Sequence, residues 1–470
     1  MLAPTRTVDV VETIHGVQVH DPYRWLEDGE DPEVRAWVAA QNAGTRAYLD
    51  ALPGRPAIAE RMRQALDVGL VGTAVPRGRF LFLTRRDPGR DQIVLTVSEA
   101  VGPARVLVDP APFSEDRTTA IAWWTPSPDG ELVCVGISEA GADNAELRIL
   151  RTATGEWLPD RIARCPWSAV AFEPGGASIL YTRMPEPGTV PSGEEVYHRH
   201  VWRHVLGVDP AEDVCVFGEG RDRLDVPSTI SISEDGRWTV ILVSHGWHRT
   251  SMFLREADGE FVPVFEGAGD TTAYPWFAGN RLLAITDVHA PNARLVEIDP
   301  AHPEPARWVD VVPESEHVLV DVTVSADRLV VHHLVDACSR MSLHLPDGTF
   351  EHAVELPPFS AVGSRTVVGE SGLGADPSSS DVYVTVQSFT QPPAIRRAGG
   401  GDVARVEPPP GFEPDHHAVR QVWYRSPDGT RVPMFLIGRG EGPGPTVLTG
   451  YGGFKHNMTP GLDARRGAIL

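Results

Sequence analysis

The chain has 470 residues, 41% hydrophobic and 23% charged, the balance of a folded globular protein and not of a disordered one. That length calls for two or three domains. With 42 Lys and Arg against 64 Asp and Glu, the net charge is −22, which repels a phosphate backbone and argues against a general nucleic-acid binder. The N-terminal stretch Met1–Val17 lacks a basic segment followed by an apolar one, so no secretory signal is expected. No apolar run approaches the roughly 18–20 residues of a membrane span. Cys134, Cys165, Cys215 and Cys338 form no C-x-x-C pair and match no zinc spacing. They are expected as buried free thiols of a cytoplasmic protein.

Three zones follow one another. In the first, residues 1–67, Asp31-Pro32-Glu33 opens a helical pattern with acid and proline in the first turn. Val34, Trp37, Val38 and Gln41 continue it at helical spacing, as do Tyr48, Leu49 and Leu52, until Pro53-Gly54 stops it. A second run carries Ile58, Met62, Ala65 and Leu66. The zone reads as helical with little β signal. Its acidic run Glu27-Asp28-Gly29-Glu30-Asp31 is either a docking patch or, more simply, a solvated loop and helix start.

The second zone, residues 68–413, holds short β-rich strings and no long helix. A turn leads into an apolar string seven times: Phe80–Leu83, Leu132–Val135, Ile179–Tyr181, Trp238–Val243, Leu282–Ile285, Leu329–His332 and Val382–Val386. The preceding residues include Gly78, Gly130, Gly176, Gly236, Asn280, Asp327 and Ser380, types suited to turns with positive φ. Further strand-like strings lie between these markers, such as Met252–Leu254 and, past the hairpin turn Asp258-Gly259, Phe261–Val264. Units of roughly 40–50 residues with four short strands are propeller blades. Seven fit, at about 68–113, 118–160, 165–218, 228–267, 270–313, 318–357 and 360–409. The third is the longest, because of a polar insertion near Pro185–Glu195. The competing architecture is an irregular pair of β-sandwiches.

The third zone, residues 414–470, follows the linker Pro408-Pro409-Pro410-Gly411. Val419–Tyr424, a turn at Ser426-Pro427-Asp428-Gly429 and Val432–Ile437 read as a hairpin. Thr446–Thr449 reads as another strand, ending in the turn Gly450-Tyr451-Gly452-Gly453-Phe454. These strands cannot bury a core alone, so the zone is expected to be the opening of a domain whose remainder is absent. The fold class is therefore mainly β: a seven-bladed β-propeller with an N-terminal helical segment and the first strands of a truncated domain, which the family resemblance carried by the motifs below implies to be an α/β-hydrolase domain.

The terminal turn carries the chemistry. In α/β-hydrolases the loop after the third strand is often glycine-rich and supplies an oxyanion donor. A tyrosine hydroxyl there can donate to a developing oxyanion. Other candidates are weaker. His198, His200 and His204 lie close together, but surface or edge-strand histidines explain them better than a metal site. His332-His333 and His416-His417 point to opposite faces if extended. Trp247, in His245-Gly246-Trp247-His248, is a packed loop corner or a cavity lining. Gly438–Gly444 lacks the Lys-Ser/Thr of a phosphate loop. No metal or organic cofactor is implied.

Several of these motifs together resemble the prolyl oligopeptidase family of serine peptidases. They are His15-Gly16 with Asp21-Pro22-Tyr23-Arg24-Trp25-Leu26-Glu27-Asp28, then Trp37-Val38 and Gln41-Asn42. His204-Val205-Leu206-Gly207 with Glu212-Asp213 follows, then Ser426-Pro427-Asp428-Gly429-Thr430 with Val432-Pro433-Met434-Phe435, and Tyr451-Gly452-Gly453-Phe454. The resemblance implies an N-terminal helical segment packed on a C-terminal hydrolase, with a propeller inserted between them that admits only short peptides. It implies Tyr451 as oxyanion donor, Phe454 as lining of the pocket before the scissile bond, and Trp247 on a loop facing the cavity. It implies a post-proline oligopeptidase acting on short peptides; the acidic charge and the lack of a long apolar run lead to the expectation of no nucleic-acid or membrane partner, and the oligomeric state is left open. The family's nucleophile sits in Gly-x-Ser-x-Gly, and that pattern is absent from these 470 residues. Gly136-Ile137-Ser138-Glu139-Ala140 and Gly369-Glu370-Ser371-Gly372-Leu373 come nearest, and both lack the final glycine. The chain alone is expected to be inactive, and the alternative reading is a propeller scaffold without catalysis.

Overall fold

The computed structural model describes the chain except residues 1–3, 100–101, 140, 364–370, 399, 410–411, 414–415, 439, 441, 443, 454–456 and 463–470. It divides into two compact units, one built on Met1–Leu66 and the other on Asp67–Asp463.

In the first unit α1 (Pro32–Asp50) and α2 (Arg55–Leu66) stand where the apolar spacing places them. Asp31 accepts from the Glu33 amide at 2.8 Å and Pro32 takes the first turn, so the acidic run is a capped helix start. The helical reading missed a hairpin, β1 (Val11–Ile14) with β2 (Val17–His20). Its two-residue turn is His15-Gly16, with φ of 50° and 80°, the double positive φ that tight hairpins require. Trp25 and Trp37 meet edge to face at 6.2 Å, and their indole N–H groups donate to Arg6 O and Thr5 Oγ1. Val34 and Ala65 are the buried apolar residues of this unit.

Among the described residues the second unit contains seven antiparallel sheets of four or five strands, each made of strands consecutive in sequence, and one two-stranded hairpin after them. The seven sheets span Leu70–Val108, Ala120–Ile162, Val170–Phe217, Val226–Glu266, Ala273–Val312, Val318–Val354 and Ser360–Arg405, and are numbered blades 1–7. First strands of neighbouring blades meet, between blades 3, 4 and 5 and between blades 6, 7 and 1. Each of the seven apolar markers is the second strand of its blade. These strands are buried almost throughout, as in Leu132–Ser138 and Val382–Ser388, because a neighbouring blade covers each face. Alternate residues therefore serve different seams: Val133 joins the core between blades 1 and 2, Cys134 that between blades 2 and 3. Val330 and Val331 divide in the same way between the two sides of blade 6. There are seven apolar clusters, one for each seam.

The turns into the second strands use Gly78, Gly130, Gly176 and Gly236 at positive φ, and in blade 5 Gly279 instead of Asn280. Ser127, Ser233 and Ser325 fasten three of these turns: each hydroxyl donates to the Asp two residues on and accepts an amide from across the turn. In blade 7 two short strands, Ser360–Val362 and Leu373–Ala375, share the inner edge of Val382–Ser388.

Blade 7 meets blade 1 without a shared strand. Val71 and Ala74 pack against Tyr383, Ile395 and Val406. The Gly72 carbonyl accepts from Thr385 Oγ1, Thr73 Oγ1 accepts from the Gly372 amide, and Asp376 accepts from the Gly78 amide. A Cβ at Gly374 would stand 1.7 Å from the Ala74 carbonyl oxygen. Gly374→Ala should therefore force this seam apart and cost about 1–3 kcal/mol, read as a lower urea midpoint. Gly401→Ala, with nothing within 4 Å, should leave the midpoint within about 0.5 kcal/mol of the parent.

Candidate functional site

Antiparallel order sorts the connections onto two faces. Turns between first and second strands, and between third and fourth, lie on one face. Loops between second and third strands lie on the other, together with the links from blade to blade. Trp247, between the second and third strands of blade 4, lies on the second face.

The expected terminal hairpin forms from Ala418–Arg425 and Arg431–Gly438. Asp428 and Gly429, at φ 87°, close it, and Asp428 accepts the Thr430 amide at 2.9 Å. Gln421 and Phe435 are cross-strand partners, so their side chains share one face. Gln421 Nε2 donates to the Asp336 carbonyl at 2.6 Å, in the middle loop of blade 6. The Phe435 ring lies 5.8 Å from Phe359, on the link into blade 7, and 4.8 Å from Phe389, in the middle loop of blade 7. The hairpin is thus seated on the loop face over blades 6 and 7.

Thr446–Thr449 adopts no regular structure, and Leu448 is 82% exposed. A strand needs a hydrogen-bonding partner, and the described residues offer this one none. Tyr451 is half exposed, and its ring folds back over its own turn: a Cβ on Gly453 would lie 3.2 Å from the Tyr451 hydroxyl. Gly453 thus makes room for the phenol. Phe454 lies outside the described residues.

Trp247 sits at the tip of the middle hairpin of blade 4, after Gly246 at φ 66°. Its side is 63% exposed, which overturns the packed-corner reading. The turn beneath is held by His245, whose Nδ1 lies 3.0 Å from Asp225 Oδ1 and whose Nε2 lies 2.8 Å from Ser251 Oγ. The sequence reading missed Trp167 and Leu224, on the links flanking blade 3, and Tyr197, in the blade 3 insertion. All three are exposed on this face. The structure adds what the sequence did not carry: Trp167 is a non-glycine residue at φ 48°, and such strain often marks a functional loop. The insertion is tied down by Glu194, which pairs with His198 at 2.8 Å and Arg223 at 2.9 Å.

The histidines do not converge. His204, expected at the surface or an edge, is fully buried with both ring nitrogens beside carboxylates. Burial holds His200 below the usual range. Among the described residues no three His, Cys, Asp or Glu side chains are grouped for a metal ion. All four cysteines are free; Cys134, Cys165 and Cys338 are buried and Cys215 is half-buried. Burial pushes Cys165 up to about 12, so it is no nucleophile.

Beneath the docked hairpin, the seam of blades 6 and 7 carries a chain of uncharged polar groups. The Val362 amide donates to Ser339 Oγ, whose hydroxyl is left to donate to His332 Nε2 at 2.8 Å. Burial, with the neighbouring His333, pushes His332 down to about 4. Burial lifts Asp321, its cross-strand partner, to about 6 against the pull of Ser371 and the Val322 amide.

Several comparisons bear on this architecture. Residues 3–398 match the family model described as prolyl oligopeptidase, N-terminal beta-propeller domain. The prolyl endopeptidase of Elizabethkingia meningoseptica is 27% identical over 97% of this chain and 64% of its own length. Prolyl oligopeptidase A of Amanita bisporigera is 23% identical over 96% of this chain and 64% of its own. The chain thus spans about 64% of the length of these curated relatives. A solved structure from a study of two prolyl endopeptidases superposes with a TM-score of 0.89 at 30% identity, covering 98% of this chain and 68% of that one. Prolyl oligopeptidase B from Galerina marginata, bound to a 35mer substrate, gives 0.85 at 21% identity, covering 100% and 70%, a likeness of fold.

Two outcomes follow from the site's geometry. Phe435→Ala should loosen the seated hairpin, with amide exchange of Ala418–Gly438 faster by about tenfold and the seven blades unchanged. His332 has a depressed folded pKa, so its contribution is present above about pH 6.5 and lost as pH falls toward about 4. Lowering the pH from about 7 to about 4.5 should thus cost up to about 3 kcal/mol through this residue. Asp321 works in the opposite direction as it takes up its proton near 6. Urea titrations of the parent and His332→Gln at both pH values check it: the variant should lose less.

Proposed function

We propose, for a chain that belongs to the prolyl oligopeptidase family, that it supplies the propeller lid and the first catalytic wall of a serine-type oligopeptidase cleaving short peptides after proline. The observation that carries this reading is the seating of Phe435 between Phe359 and Phe389. It holds the hairpin that precedes Tyr451 against the loop face, where Trp167, Tyr197, Leu224 and Trp247 are exposed. In this reading residues 1–67 are the helical segment of the hydrolase, 68–413 the propeller and 414–470 the start of the α/β-hydrolase domain. The free thiols fit a reducing cytoplasm.

Each residue has a defined task. When a serine attacks the carbonyl after proline, charge gathers on the carbonyl oxygen, and the Tyr451 hydroxyl donates to it. Gly452 and Gly453 let the backbone approach closely. Phe454 offers an apolar wall to the proline ring, and Trp247 contacts the peptide from the propeller side. The serine of Gly-x-Ser-x-Gly is not among these residues. The second reading is a propeller scaffold without catalysis.

The test joins residues 1–453 of this chain to the catalytic remainder of a bacterial relative. The chimera should cleave a chromogenic Gly-Pro substrate, and Tyr451→Phe should lower kcat by roughly 10²–10³ with little change in KM. The 470-residue chain alone should take no covalent label from a fluorophosphonate. A folded chimera that binds peptide but never cleaves it would favour the scaffold.

A further inference from the structure

A buried charged group occupies the seam of blades 2 and 3, on the far side of the propeller from the seated hairpin. His204, in the third strand of blade 3, is 0% exposed. Its Nδ1 lies 2.7 Å from Asp213 Oδ1, just ahead of the outer strand of the same blade. Its Nε2 lies 2.8 Å from Asp160 Oδ1, in the outer strand of blade 2. The Tyr181 hydroxyl donates to Asp213 Oδ2 at 2.6 Å, and the Gly207 amide donates to Asp160 Oδ1 at 2.5 Å. Asp160 Oδ2 is buried with no hydrogen-bond partner among the described residues.

The arithmetic of donors is strict. A neutral imidazole has one N–H, and one of its nitrogens would then face a carboxylate oxygen lone pair to lone pair. Two carboxylates flanking one ring are satisfied only if the group holds one more proton, which makes both ring nitrogens donors. The Tyr181 and Gly207 donors are already committed to the carboxylates. The other groups packed around are Cys134 and Cys165, whose thiols burial keeps protonated, and Arg183. The Arg183 guanidinium stands over Trp202 at 4.3 Å and over Tyr181 at 5.9 Å.

We propose that Asp160, His204 and Asp213 form a proton-dependent clamp, which ties blade 2 to blade 3 while the imidazole carries two protons and releases that seam when one is lost. Burial by itself would lower the His204 pKa, but the hydrogen bonds to Asp213 and Asp160 outweigh it and the net direction is up. The clamp is therefore closed at and below the ordinary histidine range, and it opens as pH rises through the folded value. Removing the proton leaves two buried carboxylates sharing one N–H, a net cost that only separation or hydration of the seam relieves. Nothing in the proposed peptidase chemistry uses this group, so the device acts on the lid and not on the catalytic wall.

The isosteric change Asp213→Asn is the informative one. Its amide N–H can donate to Nδ1 of a neutral His204, whose Nε2–H then donates to Asp160, while the Asn oxygen still accepts from Tyr181. The extra proton is no longer needed. Amide hydrogen exchange of the full 470-residue chain, corrected for the intrinsic pH dependence, is compared at about pH 6.5 and about pH 9.5. In the parent, segments 157–162 and 200–206 should lose at least about tenfold protection at the higher pH. Blade 4, residues 238–256, should hold, and Asp213→Asn should show no such local loss. Asp160 offers no equivalent exchange, because its Oδ1 accepts both from His204 Nε2 and from the Gly207 amide; His204→Gln, which removes the titrating ring, serves if the first variant does not fold, and its protection of the two segments should not differ between the two pH values. Equal protection of the parent at both pH values would overturn the clamp, and so would the same local loss in a folded variant.

Discussion

The structure depends on a hydrophobic core that lies between sheets and not within any one of them. A four-stranded blade has two apolar faces and can cover neither. Stacking blades around an axis covers both, and the second strand of each blade becomes the most buried segment of the chain. Ile241 faces blade 3 and Val240 faces blade 5, so one strand belongs to two cores. Removing a blade would expose two seams at once. The ring must close, although no strand joins its ends. Gly374 shows how tight that closure is: only hydrogen fits between blade 7 and the Ala74 carbonyl.

The same constraint explains what the sequence disclosed. Burial on two faces makes second strands read as continuous apolar runs, so all seven could be found and counted without coordinates. First strands were harder to see. In blades 1, 2, 4 and 6 they carry register shifts, at Val71/Ala74, Ile121/Trp123, Pro227/Thr229 and Leu319/Asp321, and a bulge breaks the alternation that marks a strand. The β1–β2 hairpin was hidden because its residues are exposed on both faces, leaving the turn pair His15-Gly16 as the one local signal. Thr446–Thr449 misled for the converse reason: its composition favours a strand, but a strand is decided by its neighbour. His204 could not be placed because its partners come from 44 and 9 residues away, and only the packing of two blades brings them together.

Of the candidate site, sequence identified the residue types and their order, and structure supplied the face. The placement of Trp247 follows from strand order: a loop between second and third strands must lie on the same side as the links between blades. The hairpin that carries Phe435 and Gln421 rests on that side. The exposure of Trp247 is what sequence could not give, since a tryptophan in a tight turn is as easily packed as presented. A large apolar side chain left in water forgoes roughly 2–3 kcal/mol of burial. The chain leaves Trp247 and Trp167 exposed on one face of the propeller.

Polar groups in the seams divide by charge, and the division follows what each seam carries. The seam of blades 6 and 7 supports the hairpin, and its His332–Ser339–Val362 chain needs no ion. That chain keeps its hydrogen bonds while His332 stays neutral, above about pH 4. Among the described residues the seam of blades 2 and 3 supports no such contact, and it holds two carboxyl groups on one imidazole. Buried ions gain little net stability against apolar packing of equal volume, so Asp160, His204 and Asp213 are poorly explained as reinforcement. Their directional bonds instead fix how far blade 3, with its long insertion, can move relative to blade 2. A proton is the one component of that restraint that can leave without unfolding the blades.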